Sequence, residues 1–116
     1  NMIPQEIHEY VEKRPWGNFI KFTDNIPSTV KIITVKEGEQ LSLQFHHKRS
    51  EFWRILSDGG EVIIDGKSTP GKKDDEYFIP VGKTHMAKGP IEFLEISLGE
   101  FDEQDIVRLE DKYHRT

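Results

Sequence analysis

Apolar and polar residues alternate along most of this chain in short stretches, broken by turn residues at intervals of roughly eight to twelve positions. Residues 16–22 place Trp16, Asn18, Ile20 and Phe22 on one side of a strand, and residues 30–35 (VKIITV) are β-branched and strand-forming. Strands follow at 41–46, 52–56 and 61–65, and Asp65-Gly66 is a good hairpin signal. Short strands at 76–79 and 84–87 lead into 91–98, the most continuous apolar run, and then to an extended stretch at 106–109. Residues 2–13 carry Ile3, Ile7, Tyr10 and Val11 at roughly helical spacing, which reads as a short helix or an arm over the barrel. Residues 110–116 form a polar tail. Many short strands and hardly any helix predict an all-β fold, a jelly roll of two facing sheets. Residues 1–13 are then an N-terminal arm and residues 14–116 one domain.

The strand at 41–46 uses both of its faces. Leu41, Leu43 and Phe45 share one side; Ser42, Gln44 and His46 share the other. The apolar side cannot lie bare, which predicts a homodimer, the rival being that the N-terminal arm covers it. On the polar side Gln44 and His46 stand close in sequence to Glu51, and His85 follows the Pro80–Gly82 turn further on. Imidazole nitrogens with carboxylate and amide oxygens suit a divalent cation such as Zn, Mn, Co, Ni or Fe. A carboxylate at Glu51, facing inward beside Trp53, is costly unless paired or bound to metal.

These residues resemble a known family. Gly38, Gln44, His46 and Glu51 resemble the first cupin motif, with Gln in place of the first His, and Pro80, Gly82 and His85 resemble the second. Arg14-Pro15-Trp16-Gly17, the run from Leu41 to Trp53, and the run from Asp105 to Asp111 extend the likeness over nearly the whole chain. Together they look like the C-terminal cupin domain of type II phosphomannose isomerases, the bifunctional enzymes that also carry a mannose-1-phosphate guanylyltransferase domain. The resemblance implies a double-stranded β-helix (cupin) barrel, usually dimeric. It implies a metal held by Gln44, His46, Glu51 and His85, and interconversion of mannose 6-phosphate and fructose 6-phosphate through a cis-enediol. Arg49, with Lys48 and His47, would then face the substrate. Arg14, Arg108, Arg115 and Ser42 would line the cavity or hold the phosphate. The proton-transferring group is left open among His47, Lys48 and Glu51. Besides Gln44, three positions depart from the family pattern: Asp58 stands where the first motif's Gly is usual, with Gly59 next, Lys48 where a third His is common, and His114 where Gly is usual. No glycine-rich phosphate loop or guanylyltransferase signature is visible, so the isomerase half is expected without the nucleotidyltransferase half. The other reading is a sugar- or metal-binding module without turnover, or a cupin acting on another sugar phosphate.

Composition narrows the partners. A formal charge of −5 argues against nucleic acid, which needs a basic face, but leaves room for a small sugar phosphate held by one or two local cations. The chain has no cysteine, which excludes disulfides and thiolate ligands. No apolar run reaches the length of a membrane span and no signal peptide is visible, so a cytoplasmic location is expected.

Overall fold

The computed structural model describes residues 10–115, and among them every regular element is a strand. In chain order these are β1 (Tyr10–Arg14), β2 (Gly17–Lys21), β3 (Ser28–Val35), β4 (Leu43–Phe45), β5 (Arg49–Ile55), β6 (Glu61–Ile64), β7 (Lys67–Pro70), β8 (Glu76–Ile79), β9 (His85–Lys88), β10 (Ile91–Gly99) and β11 (Val107–Glu110). They form a four-stranded sheet in the order β3-β10-β5-β8, a five-stranded sheet in the order β11-β4-β9-β6-β7, and a separate ribbon of β1 and β2. All named pairings are antiparallel. Asp65 and Gly66 take φ of 52° and 81°, the left-handed pair that a two-residue hairpin needs, and Ile64 pairs with Lys67 across them.

Register decides which side chains meet inside. On β5 and β10, Ile55 lies beside Phe93, Trp53 beside Glu95 and Glu51 beside Ser97. β3 adds Ile33 beside Phe93 and Lys31 beside Glu95. At one end of the barrel the inward residues are apolar. Val35, Trp53, Ile55, Val62, Ile79, Ala87, Ile91 and Phe93 form the core there, with the Trp53 and Phe93 rings stacked 4.1 Å apart. Burial of each large side chain contributes about 1.5–3 kcal/mol. At the other end Glu51, Glu95 and Ser97 replace them, so apolar packing ends where chemistry can begin.

The four-stranded sheet is apolar on its outer face too. Phe52, Ile96 and Leu98 form a second buried cluster there, flanked by Phe22 and Leu94. A sheet with one face to water would alternate more cleanly.

Two expectations change. Residues 10–13 are extended rather than helical, because Tyr10–Arg14 pairs with Gly17–Lys21; the rest of the 1–13 segment lies outside the described residues. The expected arm boundary therefore falls within a β-ribbon. Leu41 also does not share a bare outer face with Leu43 and Phe45. Strand β4 begins only at Leu43, and Leu41 turns inward to pack on the main core. Among the described residues no helix is long and apolar enough to cross a membrane.

Candidate metal centre

The site grows out of the inward-facing ends of β4, β5 and β9. Gln44 on β4 lies opposite His85 on β9. Glu51 enters from β5 in the facing sheet, and His46 stands just past β4. The side chains of His46, Glu51 and His85 are all buried, and each offers a donor atom within 4.8 Å of the others. His46 Nε2 is 3.1 Å from Glu51 Oε2, and His85 Nε2 is 3.6 Å from Glu51 Oε1. Trp53 Nε1 donates to Glu51 Oε1 at 2.9 Å, and Arg49 Nε lies 3.5 Å from Oε2.

The two imidazoles are held the same way. His46 Nδ1 is 2.6 Å from the Asp105 carbonyl oxygen, and His85 Nδ1 is 3.0 Å from that of Lys83. A carbonyl can only accept, so Nδ1 carries a proton in each ring, and Nε2 is the atom turned toward Glu51. Protonated Nδ1 bonded to backbone is the usual outer support of a metal-binding His. Gln44 directs its amide nitrogen to Ser42 Oγ at 2.9 Å, which leaves the amide oxygen as its ligand atom. Two imidazoles, a carboxylate and an amide oxygen fit a divalent cation of the borderline class.

Burial alone would push the Glu51 carboxyl up, but the hydrogen bond from His46, the two imidazoles and the Trp53 N–H outweigh it and hold the group at about 2. Burial pushes His85 below the ordinary imidazole range, against the pull of Glu51. Glu95 goes the other way. Burial, the charge of Glu51 and a hydrogen bond to it raise Glu95 to about 8, with Lys31 and Arg49 opposing. Of the two neighbouring carboxyls, Glu51 keeps the charge and Glu95 keeps the proton.

A cavity of about 150 Å³ opens beside this cluster, and Gln44, Glu51 and His85 line it. Its cations are Lys31, Arg49 and Arg108. The Arg108 Nε is buried without a partner, a donor free for an anionic ligand. Lys31 and Arg49 both lie on the Phe101 ring, 4.7 and 4.5 Å from its centre.

Other residues expected at the site lie elsewhere. His47 and Lys48 are exposed and turned out of the cavity, because the chain bends between His46 and Arg49. The Asp105 carboxylate holds that bend, accepting the backbone N–H of His47 at 2.8 Å and of Lys48 at 2.9 Å. Ser42 is buried and meets Gln44 rather than the cavity. Arg14 stays on its own ribbon, paired with Glu12 and over the Phe19 ring. Arg115 is tied to Asp111 at 2.8 Å and borders a separate groove with Tyr113 and Glu39. His114 has φ of 59°, the left-handed conformation in which glycine costs least, which accounts for Gly in the family pattern.

Glu95 and Asp105 had gone unremarked as site residues. The one signal for Glu95 was a carboxylate two positions from Phe93 and Ser97 in an otherwise apolar strand.

A jelly-roll barrel with imidazole and carboxylate donors converging inside is a cupin. Within the cupins, this chain belongs to the family described as the mannose-6-phosphate isomerase C-terminal domain, whose model matches residues 3–111. Curated relatives include the mannose-1-phosphate guanylyltransferase ManC of Salmonella typhimurium, 37% identical over 88% of this chain and 22% of its own length. The alginate biosynthesis protein AlgA of Pseudomonas aeruginosa is 39% identical over 89% of this chain and 22% of its length. The xanthan biosynthesis protein XanB of Xanthomonas campestris is 40% identical over 89% and 23%. The chain thus spans under a quarter of the length of these relatives. Among solved structures, the nucleoside dehydratase Pac13 superposes with a TM-score of 0.66 at 15% identity, over 96% of this chain and 93% of that one. A putative sugar phosphate isomerase from Acidithiobacillus ferrooxidans gives 0.56 at 19% identity, over 70% and 55%. At those identities the likeness establishes the fold alone.

Proposed function

We propose that this cupin is a metal-dependent sugar-phosphate isomerase that interconverts mannose 6-phosphate and fructose 6-phosphate. The observation that carries the reading is the buried His46–Glu51–His85 cluster opening onto a cavity with three cations. A bound divalent cation would polarise the sugar carbonyl as a Lewis acid. Gln44, His46, Glu51 and His85 are the residues that would hold it. Arg49, fixed by the Asp102 carbonyl at 3.1 Å and by Phe101, sets a guanidinium beside the reacting oxygens. Arg108 and Lys31 take the phosphate and thereby fix the sugar's first two carbons toward the cluster. The proton that moves between those carbons needs an exchanging group that faces the cavity. Glu95 faces it and is not among the ligands.

The departure at Lys48 does not weaken this reading, since that side chain points away from the cavity. Several curated relatives, ManC among them, are named mannose-1-phosphate guanylyltransferases, in proteins more than four times as long as the segment matched. The test is direct: load the protein with each candidate metal, add mannose 6-phosphate, and follow fructose 6-phosphate. Conversion supports the isomerase. Saturable binding without conversion would instead make the domain a sugar-phosphate-binding module.

A further inference from the structure

We infer that Glu39 is a positioning residue for the anion site: with Lys112 and Tyr113 it pins the far end of β11 and so holds Arg108 at the cavity. The inference deepens the sugar-phosphate reading above and rests on it for the ligand alone.

The ladder that carries Arg108 is short. β11 is the edge of the five-stranded sheet, with β4 as its neighbour there, and β4 is three residues long. Arg108 lies opposite Gln44, and the register slips immediately after it, before Glu110 meets Leu43. Such a slip bends a strand and leaves a residue out of the ladder. The buried Arg108 Nε has no hydrogen-bond partner among the described residues, so that donor goes where its backbone takes it.

β11 is instead tied at both ends to the segments that flank β4. Ahead of β11, Asp105 holds the bend that follows β4, through His46, His47 and Lys48. Behind β11, the tail reaches the turn that precedes β4. Lys112 Nζ donates to the Gly38 carbonyl at 2.6 Å and to Glu39 Oε1 at 3.0 Å, and the Tyr113 hydroxyl donates to the same Oε1. That turn is itself fixed to the barrel. The Glu39 N–H bonds the Lys36 carbonyl at 3.0 Å, the Gly89 N–H bonds the Glu39 carbonyl at 2.9 Å, and Gln40 bridges to Lys88. A lone surface ion pair contributes little, but here one carboxylate oxygen on an anchored turn gathers an ammonium and a phenol from consecutive residues. The Asp111 carboxylate presents both by accepting the backbone N–H of Tyr113 at 3.2 Å and of Arg115 at 2.6 Å. These are main-chain bonds, so the tail keeps its turn without the Arg115 side chain.

The test is a double-mutant cycle on ligand affinity, read by calorimetry with mannose 6-phosphate and, as a smaller probe, inorganic phosphate. Glu39→Ala should weaken binding by about 3–10-fold, the size of one or two net hydrogen bonds. Glu39→Gln, which keeps an acceptor oxygen, should stay within about twofold of wild type. In an Arg108→Ala background, Glu39→Ala should add less than about twofold, because its effect runs through Arg108. Should Glu39→Ala fold poorly, Tyr113→Phe, which removes only the hydroxyl, should weaken binding in the same direction and show the same dependence on Arg108. Unchanged affinity in Glu39→Ala overturns the proposal, as does an equal loss with and without Arg108. A wild type that binds neither anion overturns it too. Conversion to fructose 6-phosphate is followed on the same samples. A wild type that binds without converting removes the isomerase and leaves the positioning role standing.

Discussion

His46 and Asp105 stand 59 positions apart in sequence, yet the His46 Nδ1 is 2.6 Å from the Asp105 carbonyl oxygen. The same aspartate holds the next two backbone N–H groups with its carboxylate. It thereby sets both the tautomer of one proposed ligand and the bend that returns Arg49 to the cavity. Those N–H bonds lower the Asp105 carboxyl against the upward push of burial.

Removing that carboxylate should loosen the ligand without deleting it. Asp105→Ala keeps the carbonyl on His46 but frees the bend that places it, and is expected to weaken divalent-metal binding by up to about 10-fold, the low end of what losing an outer support costs. Asp105→Asn, which keeps one acceptor oxygen, should fall between. Competition titration against a chromophoric chelator measures both. Unchanged affinity in Asp105→Ala would show that the bend holds itself.

Arg108 and Arg115 should separate cleanly. Arg108 has a buried unpartnered Nε at the cavity, whereas Arg115 is engaged by Asp111 outside it. Losing a hydrogen bond to a charged group costs about 1.5–3 kcal/mol, so Arg108→Ala should raise KM for the sugar phosphate by about 10–100-fold. Arg115→Ala and Arg14→Ala should leave it within about twofold. Steady-state kinetics on the three variants decides. Equal losses in all three would relocate the phosphate.

The carboxyl of Glu95 should be visible as a slope of stability against pH in metal-free protein. Its folded value, about 8, lies above its ordinary 4.5, so between those limits the folded state binds the extra proton. Stability from this group is complete below about pH 4.5 and is lost as pH rises toward 8. Buried His85 and the lowered Glu51 work in the opposite sense, but at and below the ordinary imidazole and carboxyl ranges. The window from about pH 6.5 to 8 therefore reports chiefly on Glu95, with a loss of about 1–2 kcal/mol. Urea unfolding across that window should show the fall in wild type and a flatter line in Glu95→Gln. A wild-type line that rises would contradict the assignment.

Local chemistry made much of this legible. Asp65-Gly66 can hardly be anything but a tight hairpin, and β-branched runs between turn residues can hardly be helices. Gln44, His46 and Glu51 stood out by their short spacing beside a turn, and His85 by the Pro80–Gly82 turn before it; the structure brings His46, Glu51 and His85 together. Long-range register was not visible. Glu95 belongs to the site only because β10 pairs with β5 and sets it beside Trp53, and nothing in residues 91–98 reveals that partner. Asp105 meets His46 through a carbonyl that every residue possesses, and its carboxylate meets a bend 57 and 58 positions away in sequence. Strict alternation misplaced Leu41 because β4 starts two residues later. His47 and Lys48 were drawn to the site by proximity in sequence, whereas the bend pinned by Asp105 turns them to water. Between the two arginines of the tail, the choice rested on a local turn at Asp111, whose carboxylate takes the backbone and side chain of Arg115.

The most direct test of the whole account is the metal content of three purified proteins after loading and desalting: wild type, Glu51→Ala and His85→Ala. The account predicts close to one divalent ion per wild-type chain and little in either variant, with all three keeping the same far-ultraviolet β signature. Wild-type metal content in a folded Glu51→Ala or His85→Ala protein would contradict it, as would a wild type that retains no metal from any of Zn, Mn, Co, Ni or Fe.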